Sequence, residues 1–225
     1  PPHWVQHEIG IGRAINGMAV PAPKLVDAIE IDGRRGIIYE RVDGPTMLRL
    51  VNSKPWLAAR LARQLAELHT QIHQQRGVGL APLRPSLRDT IQGVDALAPD
   101  LKAGVLALLD RLPDDDALCH FDFHPDQVIL TVRGPVIIDW MTAFRGHPLA
   151  DVARTVVILM VGQVPQAGRA MRALINLWRG LFGRTYLSRY LALHPGATQT
   201  DVRTWMIPVA AGRLKEEIEG EREPL

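Results

Sequence analysis

Three shortages bound this chain before any motif does. It has one cysteine, Cys119, so no intrachain disulfide can form and a reducing, cytoplasmic setting is the expectation. It has little charge imbalance: 26 Lys and Arg against 24 Asp and Glu leave a formal net charge of +2, with the cations scattered along the chain. That pattern excludes the electrostatic footprint of a nucleic-acid or membrane-surface binder. Long apolar runs are missing too. The most apolar stretch, Val152 to Val164, is too short to span a bilayer and carries Arg154. No secretory leader is recognisable, and the chain opens at Pro1 without an initiator Met, so further sequence upstream is expected. What remains is ordinary globular material. The 225 residues are 47% apolar and 22% charged, enough for one domain or two small lobes sharing a cleft.

Periodicity divides the chain. Val5, Ile9, Ile11, Ile15 and Met18 have helical spacing, stopped by Gly17 and Pro21. Two β-rich runs, 24–31 and 36–42, flank Asp32-Gly33, a hairpin signal. An amphipathic helix follows at 56–74, then a Pro- and Gly-containing loop to about Arg84, and a short helix at 101–112. Residues 128–132 and 135–138 read as a second hairpin turning at Arg133-Gly134. Helices are expected at 149–161, 167–193 and 200–219, with breaks at Pro165, Pro195 and Pro208. The order predicts an α+β fold, a small β-containing lobe followed by a larger helical one.

The second hairpin carries the chemistry. Asp122 precedes its first strand and Asp139 follows its second, so antiparallel pairing returns both carboxylates to one end. Hard oxygen ligands of this kind suit Mg²⁺, and a carboxylate beside them can orient and deprotonate an attacking hydroxyl. The run Val136-Ile137-Ile138 suggests a buried strand delivering Asp139 to a cleft edge.

Three stretches in order carry a resemblance: His120-x-Asp122-x-His124-Pro125-x-Gln127, then Ile138-Asp139-Trp140, then Gly146-x-Pro148-x-x-Asp151-x-Ala153. They resemble the H-G-D-x-H-x-x-N, I-D-W and G-x-P-x-x-D-x-A wording of the aminoglycoside phosphotransferase and choline kinase-like family. The resemblance implies a protein-kinase-like two-lobe fold, with residues 1–43 as part of the small lobe and 44–225 as the helical lobe. It implies an ATP- and Mg²⁺-dependent kinase of small molecules, acting on a hydroxyl of an aminoglycoside-like antibiotic or metabolite. Carried over, Asp122 is the base, and Asp139 and Gln127 are metal ligands. Glu40 and Val42 form the hinge that holds adenine through backbone groups, and Glu8 stands where the family's helical Glu pairs with a phosphate-binding Lys. His124 and Trp140 line the substrate side, while His120 and Asp151 brace the loop.

Departures qualify these implications. The glycine-rich loop and phosphate-binding Lys are expected upstream of Pro1, because Lys24, Lys54, Lys102 and Lys215 all follow Glu8. The stretch alone is therefore expected to be inactive. Gln127 replaces Asn, displacing the amide by one methylene, and Phe121 replaces Gly, so a positive φ there is strained. These features keep a second reading open, a catalytically lapsed domain that binds nucleotide or a partner. A third is a metal-dependent hydrolase using His120, Asp122 and His124, which alternate as on one strand face. His69 and His73, at i and i+4, read as packed histidines because no third ligand is visible. The tryptophans read as core or cleft wall. Glu216, Glu217, Glu219, Glu221 and Glu223 read as a solvated helix face that would also suit a cationic substrate.

Overall fold

The computed structural model describes residues 2–161 and 169–216. The chain runs α1 (Pro2–Asn16), β1 (Leu25–Ile31), β2 (Arg34–Tyr39), α2 (Met47–Ser53), α3 (Ala58–His73), α4 (Leu83–Gln92) and α5 (Pro99–Arg111). It continues through β3 (Ala117–Cys119), β4 (Val128–Thr131), β5 (Gly134–Ile137), β6 (Phe144–Gly146), α6 (Pro148–Val161), α7 (Arg169–Leu193) and α8 (Gln199–Arg213). The fold is α+β. Its strands form three separate antiparallel pairs, β1–β2, β3–β6 and β4–β5.

Local chemistry explains the first layer. Asp32 and Gly33 both take positive φ, 51° and 72°, the twist that a two-residue hairpin turn requires. The Asn16 side chain closes α1 onto this hairpin, donating to the Leu25 carbonyl at 2.8 Å and accepting the Leu25 N–H at 3.0 Å. After the hairpin the chain passes Gly44, where a Cβ would overlap the Leu130 carbonyl. Only glycine lets the segment lie that close to β4, and the contact is sealed by the Leu130 N–H donating to Pro45 O at 2.9 Å.

The core is helical. Leu61, Leu65, Leu68, His69 and Ile72 put one stripe of α3 out of water, against Tyr186 and Tyr190 of α7. Helix α6 is buried almost all round, with Val152, Ala153, Val156 and Val157 inside, and it packs on both α7 and α8. Residues 152–161 of the apolar segment thus lie in the central helix of the fold. No helix among the described residues is long and apolar enough to cross a bilayer. Leu65→Ala is expected to cost about 2–5 kcal/mol, because the side chain is fully buried and a well-packed site collapses poorly. Urea unfolding checks it.

Four expectations need correction. The residues after that loop, for which no element was expected, form α4, whose Pro85 sits in the first turn, where its missing N–H has no intrahelical partner to lose. Pro208 lies inside α8 without ending it, since Val202, Trp205 and Val209 on the same helix are buried around it. Trp56 is 73% exposed, because its short turn precedes the apolar stripe of α3, and Trp178 is also exposed. Glu216 is not a free solvated charge: it pairs with Arg154 and Arg213. Pro165, the Trp4 side chain and Glu217 to Glu223 lie outside the described residues or side chains.

Candidate active site

The β4–β5 hairpin does what its spacing predicts. Val128 pairs with Ile137, and the Ile138 N–H donates to Gln127 O at 2.9 Å, so the residues before and after the hairpin meet at one end. There a single atom, Nε2 of Gln127, lies 3.4 Å from Asp122 Oδ2 and 3.1 Å from Asp139 Oδ2. The amide nitrogen donates to both carboxylates and sits between them. Asp139 reaches this position from a left-handed backbone, φ 62°. Burial pushes the Asp122 carboxyl up, but the neighbouring His124 imidazole and Arg154 guanidinium outweigh it and leave it below its ordinary value. Asp122 is therefore ionised at neutral pH and can accept a proton.

The loop from His120 to Phe123 is held from below by α6. Asp151, fully buried, accepts the N–H groups of His120 at 2.6 Å and Phe121 at 2.9 Å. Its Oδ2 is also 3.1 Å from His69 Nε2 and 3.3 Å from His73 Nε2. The opposite nitrogens of those rings meet Tyr186 Oη at 2.6 Å and Tyr190 Oη at 2.8 Å. His69 and His73 therefore do have a third acidic neighbour, which their spacing alone concealed. Three of the four ring nitrogens are hydrogen-bonded, and His69 Nε2 meets the Asp151 carboxylate only as an ion-pair contact. Because Asp151 also accepts two backbone N–H groups, the cluster reads as a buried hydrogen-bond network.

Burial drives His73 down from 6.5 to about 4, with the adjacent His69 acting in the same direction and Asp151 opposing it. The unfolded chain protonates His73 near 6.5 while the folded protein keeps it neutral. Stability is then intact above that pH, falls as pH drops toward 4, and loses up to about 3 kcal/mol from this group. Thermal melts across that range check it, and His73→Gln is expected to flatten the profile.

His120 is buried. Its Nε2 faces Ile138 O at 3.0 Å, and its ring lies 4.7 Å from Trp140. His124 accepts the Asp126 N–H at 3.3 Å and places Nε2 3.7 Å from Asp122. β3 ends at Cys119, so His120, Asp122 and His124 share no strand face, and His120 points into the protein. That arrangement corrects the hydrolase reading.

Asp139 and Trp140 also edge a cleft of about 280 Å³ whose other walls include Glu8, Tyr39, Glu40 and Val42. The Glu40 N–H is already bonded to Lys24 O at 2.8 Å, so Glu40 has its carbonyl to offer a ligand. Trp140 donates its indole N–H to Ile137 O at 2.9 Å and presents only ring surface to the cleft. Glu8 accepts from the Tyr39 hydroxyl at 3.3 Å, and burial together with Glu8 pushes Tyr39 up to about 12. Among the described residues, no lysine lines this cleft.

A loop braced from a buried helix, a two-carboxylate hairpin end and a cleft beside them are the features that comparison with known proteins bears on. The profile of the phosphotransferase enzyme family matches residues 5–188. The chain belongs to this family. Among curated proteins, acyl-CoA dehydrogenase family member 11 of Gallus gallus is 28% identical over 174 residues, which is 67% of this chain. The chain spans only 22% of that relative's length.

Solved phosphotransferases share the fold. Aminoglycoside phosphotransferase APH(4)-Ia, in a ternary complex with ADP and hygromycin B, superposes with a TM-score of 0.62 at 16% identity. That match covers 95% of this chain and 75% of the other. APH(3'')-Id from Streptomyces rimosus, with ADP and streptomycin, gives 0.60 at 17% identity, covering 93% and 82%. A choline/ethanolamine kinase family protein from Mesorhizobium loti gives 0.56 at 17%, covering 94% and 68%. The chain therefore has the kinase-like fold, with its larger part helical.

Several residues of the site escaped the sequence reading. Tyr186 and Tyr190 gave no signal, being ordinary aromatics on a helix. Arg154 did give one, as the lone charge in the most apolar segment of the chain.

Proposed function

We propose that this phosphotransferase moves the γ-phosphoryl group of ATP to a hydroxyl of a small molecule, an aminoglycoside-like antibiotic or a metabolite. The observation that carries the reading is the Gln127 amide lying between Asp122 and Asp139 at the cleft edge. In this reading residues 1–43 are part of the small lobe, 44–225 are the helical lobe, and the setting is cytoplasmic.

Asp122 orients the acceptor hydroxyl and takes its proton as the new oxygen–phosphorus bond forms and the bond to ADP breaks. His124 steadies that carboxylate from 3.7 Å and, with the Trp140 ring, faces the substrate side. Glu40 and Val42 hold adenine through backbone groups, and Glu8 faces the phosphate end. The donor types are those Mg²⁺ takes, hard carboxylate oxygens and an amide oxygen, and the Gln127 amide must turn its oxygen to the place its nitrogen now holds. Asp139 and the Gln127 amide oxygen would hold the ion, which when bound neutralises phosphate charge. His120 and Asp151 are supports: they fix the loop and touch no substrate.

The full-length protein is expected to melt several degrees higher with excess ATP and Mg²⁺, and not with Zn²⁺. A response to Zn²⁺ alone would remove the kinase reading. Gln127→Asn is expected to tighten Mg²⁺ binding, because the shorter amide no longer fills the space between the carboxylates. Titrating the thermal shift with Mg²⁺ checks it, and unchanged Mg²⁺ dependence would take Gln127 out of the ligand set.

A lapsed, nucleotide-binding domain is the second reading, favoured by Phe121 held at φ 61° and by Gln127 in place of Asn. Nucleotide-dependent stabilisation without transfer to any acceptor distinguishes it.

A further inference from the structure

Three residues of one helix grip the loop that presents Asp122. Asp151 accepts the N–H groups of His120 and Phe121, and Thr155 Oγ1 donates to Phe123 O at 2.8 Å. Between them, Arg154 Nε donates to Phe121 O at 3.2 Å. The i, i+3, i+4 spacing puts all three on one face of α6.

Arg154 differs from its neighbours on this face in carrying a positive charge. Its side chain is 8% exposed, in a helix whose other buried residues are apolar apart from Asp151 and Thr155. A guanidinium kept there must be bonded on every side. One arm reaches Glu216 Oε1 at 2.5 Å and lies 3.9 Å from Asp122 Oδ1, while the guanidinium carbon stands 5.6 Å from the centre of the Phe121 ring. Glu216 also accepts from Arg213 at 3.1 Å, at the end of α8. Phe121 is the residue forced into a left-handed backbone, φ 61°, which glycine would adopt freely. Arg154 thus holds both the carbonyl and the ring of the strained residue immediately before Asp122.

We propose that Arg154 is a positioning residue for the phosphoryl-transfer step, clamping Phe121 in its left-handed turn and so fixing where Asp122 points. It touches neither nucleotide nor acceptor; it acts through the loop, and its charge also lies 3.9 Å from Asp122 Oδ1. This rests on Asp122 being the acceptor-side base. It adds a device that ties the loop, through Glu216, to the end of α8. A cation that merely glued α8 to α6 would give a different result, because its loss would not depend on what occupies position 121.

The test is a cycle in the full-length protein: Arg154→Met, Arg154→Lys, Phe121→Gly and the double variant Phe121→Gly with Arg154→Met. Arg154→Met is expected to lower kcat roughly 10- to 100-fold, the scale of a small misplacement of a catalytic group, with KM for ATP little changed. Arg154→Lys keeps the charge but not the planar fork and is expected to fall in between. In the Phe121→Gly background the loss from Arg154→Met is expected to be several-fold smaller, since glycine needs no clamp. Equal losses in both backgrounds, or wild-type kcat in Arg154→Lys and Arg154→Met, would overturn the proposal.

Amide hydrogen exchange at His120 and Phe121 gives a readout independent of turnover. Faster exchange in Arg154→Lys, the variant most certain to fold, supports the clamp, and unaltered exchange contradicts it. If Asp122→Asn turns over like the wild type, the base assignment fails by itself, and the exchange data still decide whether Arg154 orders the loop.

Discussion

Asp122→Asn in the full-length protein is expected to lose acceptor phosphorylation by about 10²- to 10⁴-fold, the range that a positioned general base supplies. The substitution is nearly isosteric, so the hydrogen bond from Gln127 can be replaced by one to the new amide oxygen and the loop need not move. The charge that draws a proton from the acceptor is gone, whereas the cleft edged by Glu40, Val42 and Asp139 is untouched. Nucleotide-dependent stabilisation should therefore survive. Loss of transfer with nucleotide binding intact separates a base from a residue needed for folding. A parallel loss of both would place Asp122 among the supports instead.

The second large effect is on stability. Asp151→Ala removes the acceptor shared by the His120 and Phe121 N–H groups and by the His69 and His73 rings. The protein is expected to lose about 3–5 kcal/mol, because several donors are left buried and unpaired at once. At about 2–4 °C per kcal/mol for a domain of this size, the melting temperature should fall by about 10 °C. Asp151→Asn keeps one acceptor oxygen but turns an NH₂ toward donors, so its loss should be smaller in size but similar in kind. A loss below about 1 kcal/mol in Asp151→Ala would mean that the loop is not held from α6.

What the sequence made legible was local. Asp32-Gly33 marks its turn because a two-residue hairpin needs positive φ at both positions, and Leu61, Leu65, Leu68 and Ile72 mark α3 because one face of a helix is buried. Asp122 and Asp139 were brought together by counting along a hairpin. α4 was hidden by Pro85, which breaks a helix in its interior but not in its first turn. β6, only three residues long, is too short for any alternation to show. The meeting of His73 with Asp151, 78 residues apart, has no periodic signature at all. It is decided by α3 and α6 both packing on β3 and α7. The same holds for Arg154: its isolation in an apolar helix says that it must be paired, but only the folded chain brings Phe121, Asp122 and Glu216 to it.

The most direct test follows a labelled γ-phosphoryl group. The full-length protein is incubated with γ-labelled ATP, Mg²⁺ and a panel of small hydroxyl compounds, and acceptors are read by mass spectrometry alongside the Asp122→Asn variant. The account predicts label on a hydroxyl oxygen of at least one acceptor with the wild type, and its loss in the variant. Label released only as inorganic phosphate, or equal labelling by wild type and variant, would contradict it.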